Sequence, residues 1–137
     1  MEIVVLVGVP GSGKTTYAEK FYPNHKRINL DTLHTRNKED EEIANSLTNG
    51  FDLIIDNTNT TKKVRSKYVQ MAKLFGIPVR AIYLKIPLEL ALMRNASRQG
   101  KERVPDSAVR FYDKILQMPT ISEGFDRVDI VDITASA

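Results

Sequence analysis

Residues Gly8-Val9-Pro10-Gly11-Ser12-Gly13-Lys14-Thr15 satisfy G-x-x-x-x-G-K-[ST], between the apolar run Ile3 to Val7 and a helix-compatible stretch, Thr15 to Phe21. That setting is what the motif requires, since a strand must deliver the chain to the loop and a helix must start where the loop ends. Glycines 8, 11 and 13 remove side chains that would keep phosphate oxygens from the backbone N–H groups, and they allow positive φ where the loop wraps. The helix that follows adds the positive end of its dipole. Lys14 then reaches the β- and γ-phosphates as a point charge, and the Thr15 hydroxyl holds Mg²⁺. The expected nucleotide site is therefore Gly8, Pro10, Gly11, Ser12, Gly13, Lys14, Thr15 and Thr16.

The remainder of the chain alternates strand and helix. Strands are expected near 2–8, 27–30, 51–56, 79–86 and 127–133, with helices at 14–21, 38–48, 61–75, from Pro87 through Ala91 to about Arg98, and at 106–118. Gly76 suits the close of the third helix, and Pro87 and Pro105 suit the starts of the last two. Continuous apolar runs such as Ile3 to Val7 and Leu53 to Ile55 fit strands buried on both faces of a parallel sheet. The expected fold class is α/β, a three-layer sandwich. Right-handed crossovers then bring the end of every strand to the edge that carries the phosphate loop.

Composition narrows the setting. At 137 residues one domain, 1–137, is expected, and 42% apolar with 27% charged residues is ordinary for a globular protein. No apolar run approaches the roughly 20 residues that span a bilayer, and the Met1-Glu2 start has no basic segment, so neither a membrane nor a signal peptide is expected and the cytoplasm is. The absence of cysteine removes thiolate chemistry, leaving oxygen ligands for any metal. A net charge of +3 says little about partners. Its distribution says more: acids cluster at Glu39 to Glu42, and Lys62, Lys63, Arg65, Lys67, Lys73, Arg80 and Lys85 follow without an acid between residues 61 and 85. Arg94, Arg98, Lys101, Arg103, Arg110 and Lys114 form a second basic stretch. For 62–73 the plain reading is the solvated face of a helix that buries Val64, Tyr68, Met71 and Phe75; contact with a nucleic acid is the other.

Two carboxylates fall just past strands, Asp31 after Arg27-Ile28-Asn29-Leu30 and Asp56 after Leu53-Ile54-Ile55. Asp56 suits a metal-bound water or a hydrogen bond to Thr15, and equally a turn acid bonding the backbone of the Asp56-Asn57-Thr58-Asn59 segment. Asp31 suits either an N-cap ahead of a helix or a group facing the nucleotide.

The segments VGVPGSGKTTYAEKF, INLDTLHT, DLIIDNTNTTKKVRSKYVQMAKLFGIPV and RNASRQGKERVP together resemble the kinase domain of 5′-hydroxyl polynucleotide kinases, phage and eukaryotic. The resemblance runs over nearly the whole chain. It implies a P-loop fold with a five-stranded sheet in the order 2-3-1-4-5, ATP and Mg²⁺ as cofactors, and a DNA or RNA 5′-hydroxyl as acceptor. It further implies that Asp31 takes the proton of the attacking hydroxyl, and that Arg94 and Arg98 belong to a mobile lid near 94–105. Four-residue spacing on one helix supports this last point, because residues i and i+4 share a face. Transfer would then rest on Lys14, Arg98 and Asp31, with Thr15 and Asp56 at the metal and His34, Asn57 and Thr58 near the acceptor. Members often carry an arginine just before the aspartate, and phage members another three residues after it. Here these positions are Leu30 and His34, which keeps open a hydroxymethyl group on a modified base, or a small metabolite, as acceptor. A nucleotide-binding module without phosphotransfer is the alternative of another class.

Overall fold

The computed structural model describes residues 1–134, with all side chains but that of Lys101, a member of the second basic stretch; residues 135–137 of the expected domain lie outside the described ones. Five parallel strands form one sheet: β1 (Ile3–Val7), β2 (Lys26–Ile28), β3 (Leu53–Ile55), β4 (Val79–Lys85) and β5 (Arg127–Asp132), in the order β2-β3-β1-β4-β5. This is the expected order. Every residue of β1 and β3 is buried, as their unbroken apolar runs require.

The helices are α1 (Lys14–Phe21), α2 (Leu30–Leu33), α3 (Arg36–Thr48), α4 (Lys62–Phe75), α5 (Leu88–Ala96) and α6 (Asp106–Ile115). On one face of the sheet Ile3, Val5, Ile28 and Ile55 pack with Ile43 and Leu47 of α3 and Tyr68, Val69 and Ala72 of α4. On the other, Val4, Leu6, Ile54 and Ile82 pack with Ala18 of α1. A third cluster, Val9, Ile86, Ala91, Leu92 and Val109, seats α5 and α6 beside the phosphate loop. No helix among the described residues is long and apolar enough to cross a membrane.

Where the observed elements depart from expectation, polar bonds give the reason. Strand β2 stops at Ile28 instead of residue 30 because the Asn29 side chain accepts from the Thr32 N–H at 3.2 Å and starts α2, a turn the periodicity did not predict. Asp31 is consequently inside that turn and is not its cap. Thr35 accepts from the Lys38 N–H and starts α3 at Arg36, ahead of the expected 38. Helix α6 ends at Ile115, three residues before the expected 118, as Gln117 turns away to donate its N–H to Thr60 and accept from the Lys62 N–H.

The buried stripe of α4 is also rotated from the expected one. Arg65, Tyr68, Val69 and Ala72 are its buried residues, with Met71 and Phe75 packed at the margin. Arg65 leaves the solvated face because it has partners inside: its Nε and Nη2 bond Glu123 at 2.8 and 3.0 Å, and Nη1 bonds the Asn59 carbonyl at 2.9 Å.

Candidate active site

The phosphate loop is held open by its own geometry. Gly11 has φ +89, and a Cβ there would stand 2.5 Å from the Ala91 carbonyl oxygen of α5. Its bareness therefore seats α5 against the loop as well as baring an amide. Gly13, at φ +94, starts α1. The Lys14 ammonium donates to the Gly8 and Val9 carbonyls at 3.1 and 3.0 Å, both inside the loop. Burial pushes Lys14 down from 10.5 to about 8; Asp56 opposes that fall, Arg98 adds to it and Asp31 opposes it. An enclosed cation in a glycine cradle, bonded there to neutral carbonyls, is a fit for an anion.

Asp56 is buried, with 2% of its surface exposed. Its Oδ2 accepts from Thr15 Oγ1 at 2.8 Å and from Arg27 Nε at 2.6 Å, while its main-chain oxygen accepts from Asn29 Nδ2 at 2.6 Å. The carboxylate thus faces the loop threonine and β2. A hydroxyl and a carboxylate in contact are hard oxygen donors of the kind a small divalent ion takes together with substrate phosphates, so these residues fit Mg²⁺.

Asp31 is exposed in the first turn of α2, and its charge reaches Lys14. The turn is stapled from below. Asn57 Oδ1 accepts from the Leu30 N–H at 2.9 Å, and Asn57 Nδ2 donates to Glu39 Oε2 at 2.9 Å. Both ends of the Asn57 amide are therefore taken by the protein. Glu39 is wholly buried; it also accepts from the Tyr68 hydroxyl at 2.8 Å and pairs with Lys67. Burial alone would raise the Glu39 carboxyl, but bonds from Lys67, Tyr68 and Asn57 hold it below its usual range. Burial and the Glu39 charge push the Tyr68 hydroxyl well up. His34 is exposed and closes α2 at φ 70. Thr58 lends its carbonyl to the Gly8 N–H at 3.0 Å, tying the segment after β3 to the loop.

Arg94 lies in the last turn of α5, its Nη1 3.8 Å from where a Gly13 Cβ would be. Helix α5 ends at Ala96 with Ser97 as its cap, so Arg98 stands beyond the helix, its N–H bonded to the Asn95 carbonyl at 3.1 Å. The shared helical face expected for these arginines does not hold; Arg98 sits in the turn after the helix, its Nη1 3.5 Å from the Glu102 carbonyl and its charge bearing on Lys14. Asn95, wholly buried, grips Val104 twice, donating to its carbonyl at 2.7 Å and accepting from its N–H at 3.1 Å. The segment between them is a loop closed at its base.

Arg27, Asn29, Glu39 and Asn95 were not among the residues expected at the site. Arg27 and Asn29, two apart in the strand expected near 27–30, would share one face there, and Asn95 sits four after buried Ala91 on α5. Those spacings were readable signals. Glu39 carried none, since its partners Asn57, Lys67 and Tyr68 come from distant segments.

A glycine loop between β1 and α1, a buried carboxylate just past the neighbouring strand β3 holding the loop threonine, and an arginine-bearing segment beyond α5 define a P-loop domain of the kinase kind. Residues 3–117 match the family described as AAA domain, and the chain belongs to that family. It is 38% identical over 135 residues to the bifunctional polynucleotide phosphatase/kinase of Schizosaccharomyces pombe, covering 95% of this chain and 33% of that protein. It is 35% identical over 138 residues to a putative bifunctional polynucleotide phosphatase/kinase of Acanthamoeba polyphaga mimivirus, covering 95% and 33%. The chain thus spans about a third of the length of these relatives. Among solved structures, an unliganded sugar kinase from Janibacter sp. superposes with a TM-score of 0.74 at 19% identity, covering 96% of this chain and 85% of that one. Kti12 of Chaetomium thermophilum in complex with ADP-AlF3 gives 0.67 at 19% identity, covering 95% and 88%. These two show the fold alone.

Proposed function

We propose that the chain transfers the γ-phosphoryl group of ATP to the 5′-hydroxyl of a DNA or RNA end. The observation that carries this reading is Asp31, an exposed carboxylate on a turn that Asn57 and Asn29 tie to the segment after β3, beside the Asp56 that holds the loop threonine. The polynucleotide phosphatase/kinases matched above support the class of acceptor.

In this mechanism Lys14 leaves the Gly8 and Val9 carbonyls for the β- and γ-phosphates, gaining the anionic partner that burial makes favourable. Thr15 and Asp56 would hold Mg²⁺, which when bound neutralises charge on the phosphates. Arg98 lies against the equatorial oxygens of the transferring group, and Arg94 fixes the nucleotide from the end of α5. Asp31 orients the acceptor hydroxyl and takes its proton as the new O–P bond forms and the β–γ bridging P–O bond breaks, releasing ADP. Little covalent chemistry is asked of the protein; placement and charge supply the rate.

The test offers γ-labelled ATP and Mg²⁺ with a 5′-hydroxyl oligonucleotide, the same strand already 5′-phosphorylated, a duplex bearing hydroxymethyluracil, and free nucleosides. Label on the first alone is expected. Label on the modified duplex or on free nucleosides instead would replace the acceptor, and nucleotide binding with no label anywhere would reduce the chain to a binding module. One observation favours a second reading in which the acceptor is another hydroxyl, on a modified base or a small metabolite: the turn around Asp31 offers Leu30, Thr32, Leu33 and His34 and no arginine. The L-seryl-tRNA(Sec) kinase of Methanococcus maripaludis is also 27% identical over 153 residues, covering 96% of this chain and 59% of that protein.

A further inference from the structure

The Asp56 carboxylate that bonds the loop threonine already has a cation against it. Arg27 Nε donates to Asp56 Oδ2 at 2.6 Å, and Arg27 Nη2 donates to Thr15 Oγ1 at 3.3 Å. A guanidinium thus contacts both side chains that the proposed function gives to Mg²⁺. The register explains how it gets there: Arg27 of β2 is level with Ile54 of β3, so Asp56, two residues on, lies on the same face one step toward the loop.

The two partners differ in freedom. The Asp56 side chain is 2% exposed and the Arg27 side chain 37%. Strand β2 is the edge of the sheet, so Arg27 can swing into solvent while Asp56 cannot. A divalent ion held by Thr15 and Asp56 would have to share with the guanidinium the two side chains it already bonds. Like charges so placed repel strongly away from bulk water. Arg27 and the ion therefore compete for one carboxylate.

We propose that Arg27 is a resident counter-cation for the metal-binding pair, holding Asp56 and Thr15 in place without nucleotide and yielding them only when the ion arrives with phosphates. It makes divalent binding depend on nucleotide. The inference rests on the reading that Thr15 and Asp56 hold the metal.

Mn²⁺ as probe tests this on the whole chain without nucleotide, with the free ion counted by electron paramagnetic resonance. Arg27→Gln removes the charge and keeps most of the side chain's length. It is expected to bind Mn²⁺ about tenfold or more tightly than wild type, and the gain should vanish in R27Q/D56N. Adding a non-hydrolysable ATP analogue should raise wild-type Mn²⁺ affinity by a larger factor than it raises that of R27Q, since the analogue no longer has to drive Arg27 away. Equal or weaker Mn²⁺ binding by R27Q, in protein whose circular dichroism and melting remain native, overturns the proposal. A gain that persists in R27Q/D56N overturns it too. Should R27Q fail to fold, Arg27→Met, which also removes the charge and keeps a long unbranched stem, is expected to show the same gain in Mn²⁺ affinity; no gain overturns the proposal. Failure of label transfer to every acceptor, with the Mn²⁺ gain intact, would sink the phosphotransfer reading and leave this one standing.

Discussion

Asn57 joins two things that lie far apart in the chain: its Nδ2 donates to the buried Glu39 carboxylate at 2.9 Å while its Oδ1 accepts from the Leu30 N–H at 2.9 Å. Through that amide, a charge network on α3 and α4 sets the height of the turn bearing Asp31. Asn57→Ala leaves a buried acceptor short of a donor and an N–H short of an acceptor, at about 1–3 kcal/mol of stability. If Asn57 is a positioning residue, the variant keeps ATP affinity and loses transfer by about 100-fold, the cost of a 1 Å misplacement. Binding titrations beside single-turnover transfer separate the two, and a parallel fall in both would deny the positioning role.

Lys14 makes a proton-linked prediction. With its ammonium held at about 8, close to half of it is neutral in the free protein at that pH, and a triphosphate beside it favours the charged form. Nucleotide binding near pH 8 should therefore take up a fraction of a proton and weaken as pH rises further. In the free protein the sign for folding is opposite to that of a paired lysine: the unfolded chain holds the proton up to the ordinary 10.5, so this group's contribution to stability improves as pH rises from about 8 toward it. Calorimetry in two buffers of different ionisation enthalpy reads the uptake. Lys14→Arg, always charged, should abolish that part of it.

How much of this could be read ahead of the structure follows from how local each signal is. Ile3 to Val7 and Leu53 to Ile55 declare buried parallel strands by continuity alone, and Gly13-Lys14-Thr15 declares a phosphate loop because three residue types must stand together. The sheet and the loop are therefore the legible parts. Glu39 and Arg65 were hidden because charge periodicity carries no record of a partner: Glu39 is 29 positions from Tyr68, and Arg65 is 58 from Glu123. Runs of charge read as solvated faces until a distant segment supplies the opposite charge. The α2 turn escaped for another reason, being four residues long, too short to show a helical period. Arg98 shows the reverse error, where four-residue spacing suggested one helix face and the helix ends two residues short.

Asp31 is not held by a cap bond, since Asn29 performs that role, and so Asp31→Asn should leave α2 and nucleotide binding intact. Under the proposed mechanism the rate of transfer falls by about 10²- to 10⁴-fold, while Arg98→Ala loses most turnover through the phosphoryl oxygens. Measured transfer rates at saturating ATP check both. A near-wild-type rate for Asp31→Asn would remove the proton acceptor from the mechanism.

Gly11 and Gly50 separate backbone strain from close packing, because both have φ in the left-handed region, +89 and +82, yet only Gly11 has a neighbour. At Gly50 nothing lies within 4 Å of an added Cβ, so Gly50→Ala carries the conformational cost alone, on the order of 1 kcal/mol. At Gly11 the new methyl would stand 2.5 Å from the Ala91 carbonyl oxygen, and that oxygen is helix backbone which cannot rotate aside. Helix α5 must then shift from the loop and take Arg94 with it. Gly11→Ala is accordingly expected to lower stability by about 2–4 kcal/mol, the strain cost plus overpacking, and to weaken nucleotide binding, whereas Gly50→Ala binds nucleotide as wild type. Denaturant unfolding and nucleotide titration of the two variants side by side decide it: equal losses would mean that φ alone demands glycine in the loop and that the seat of α5 does not.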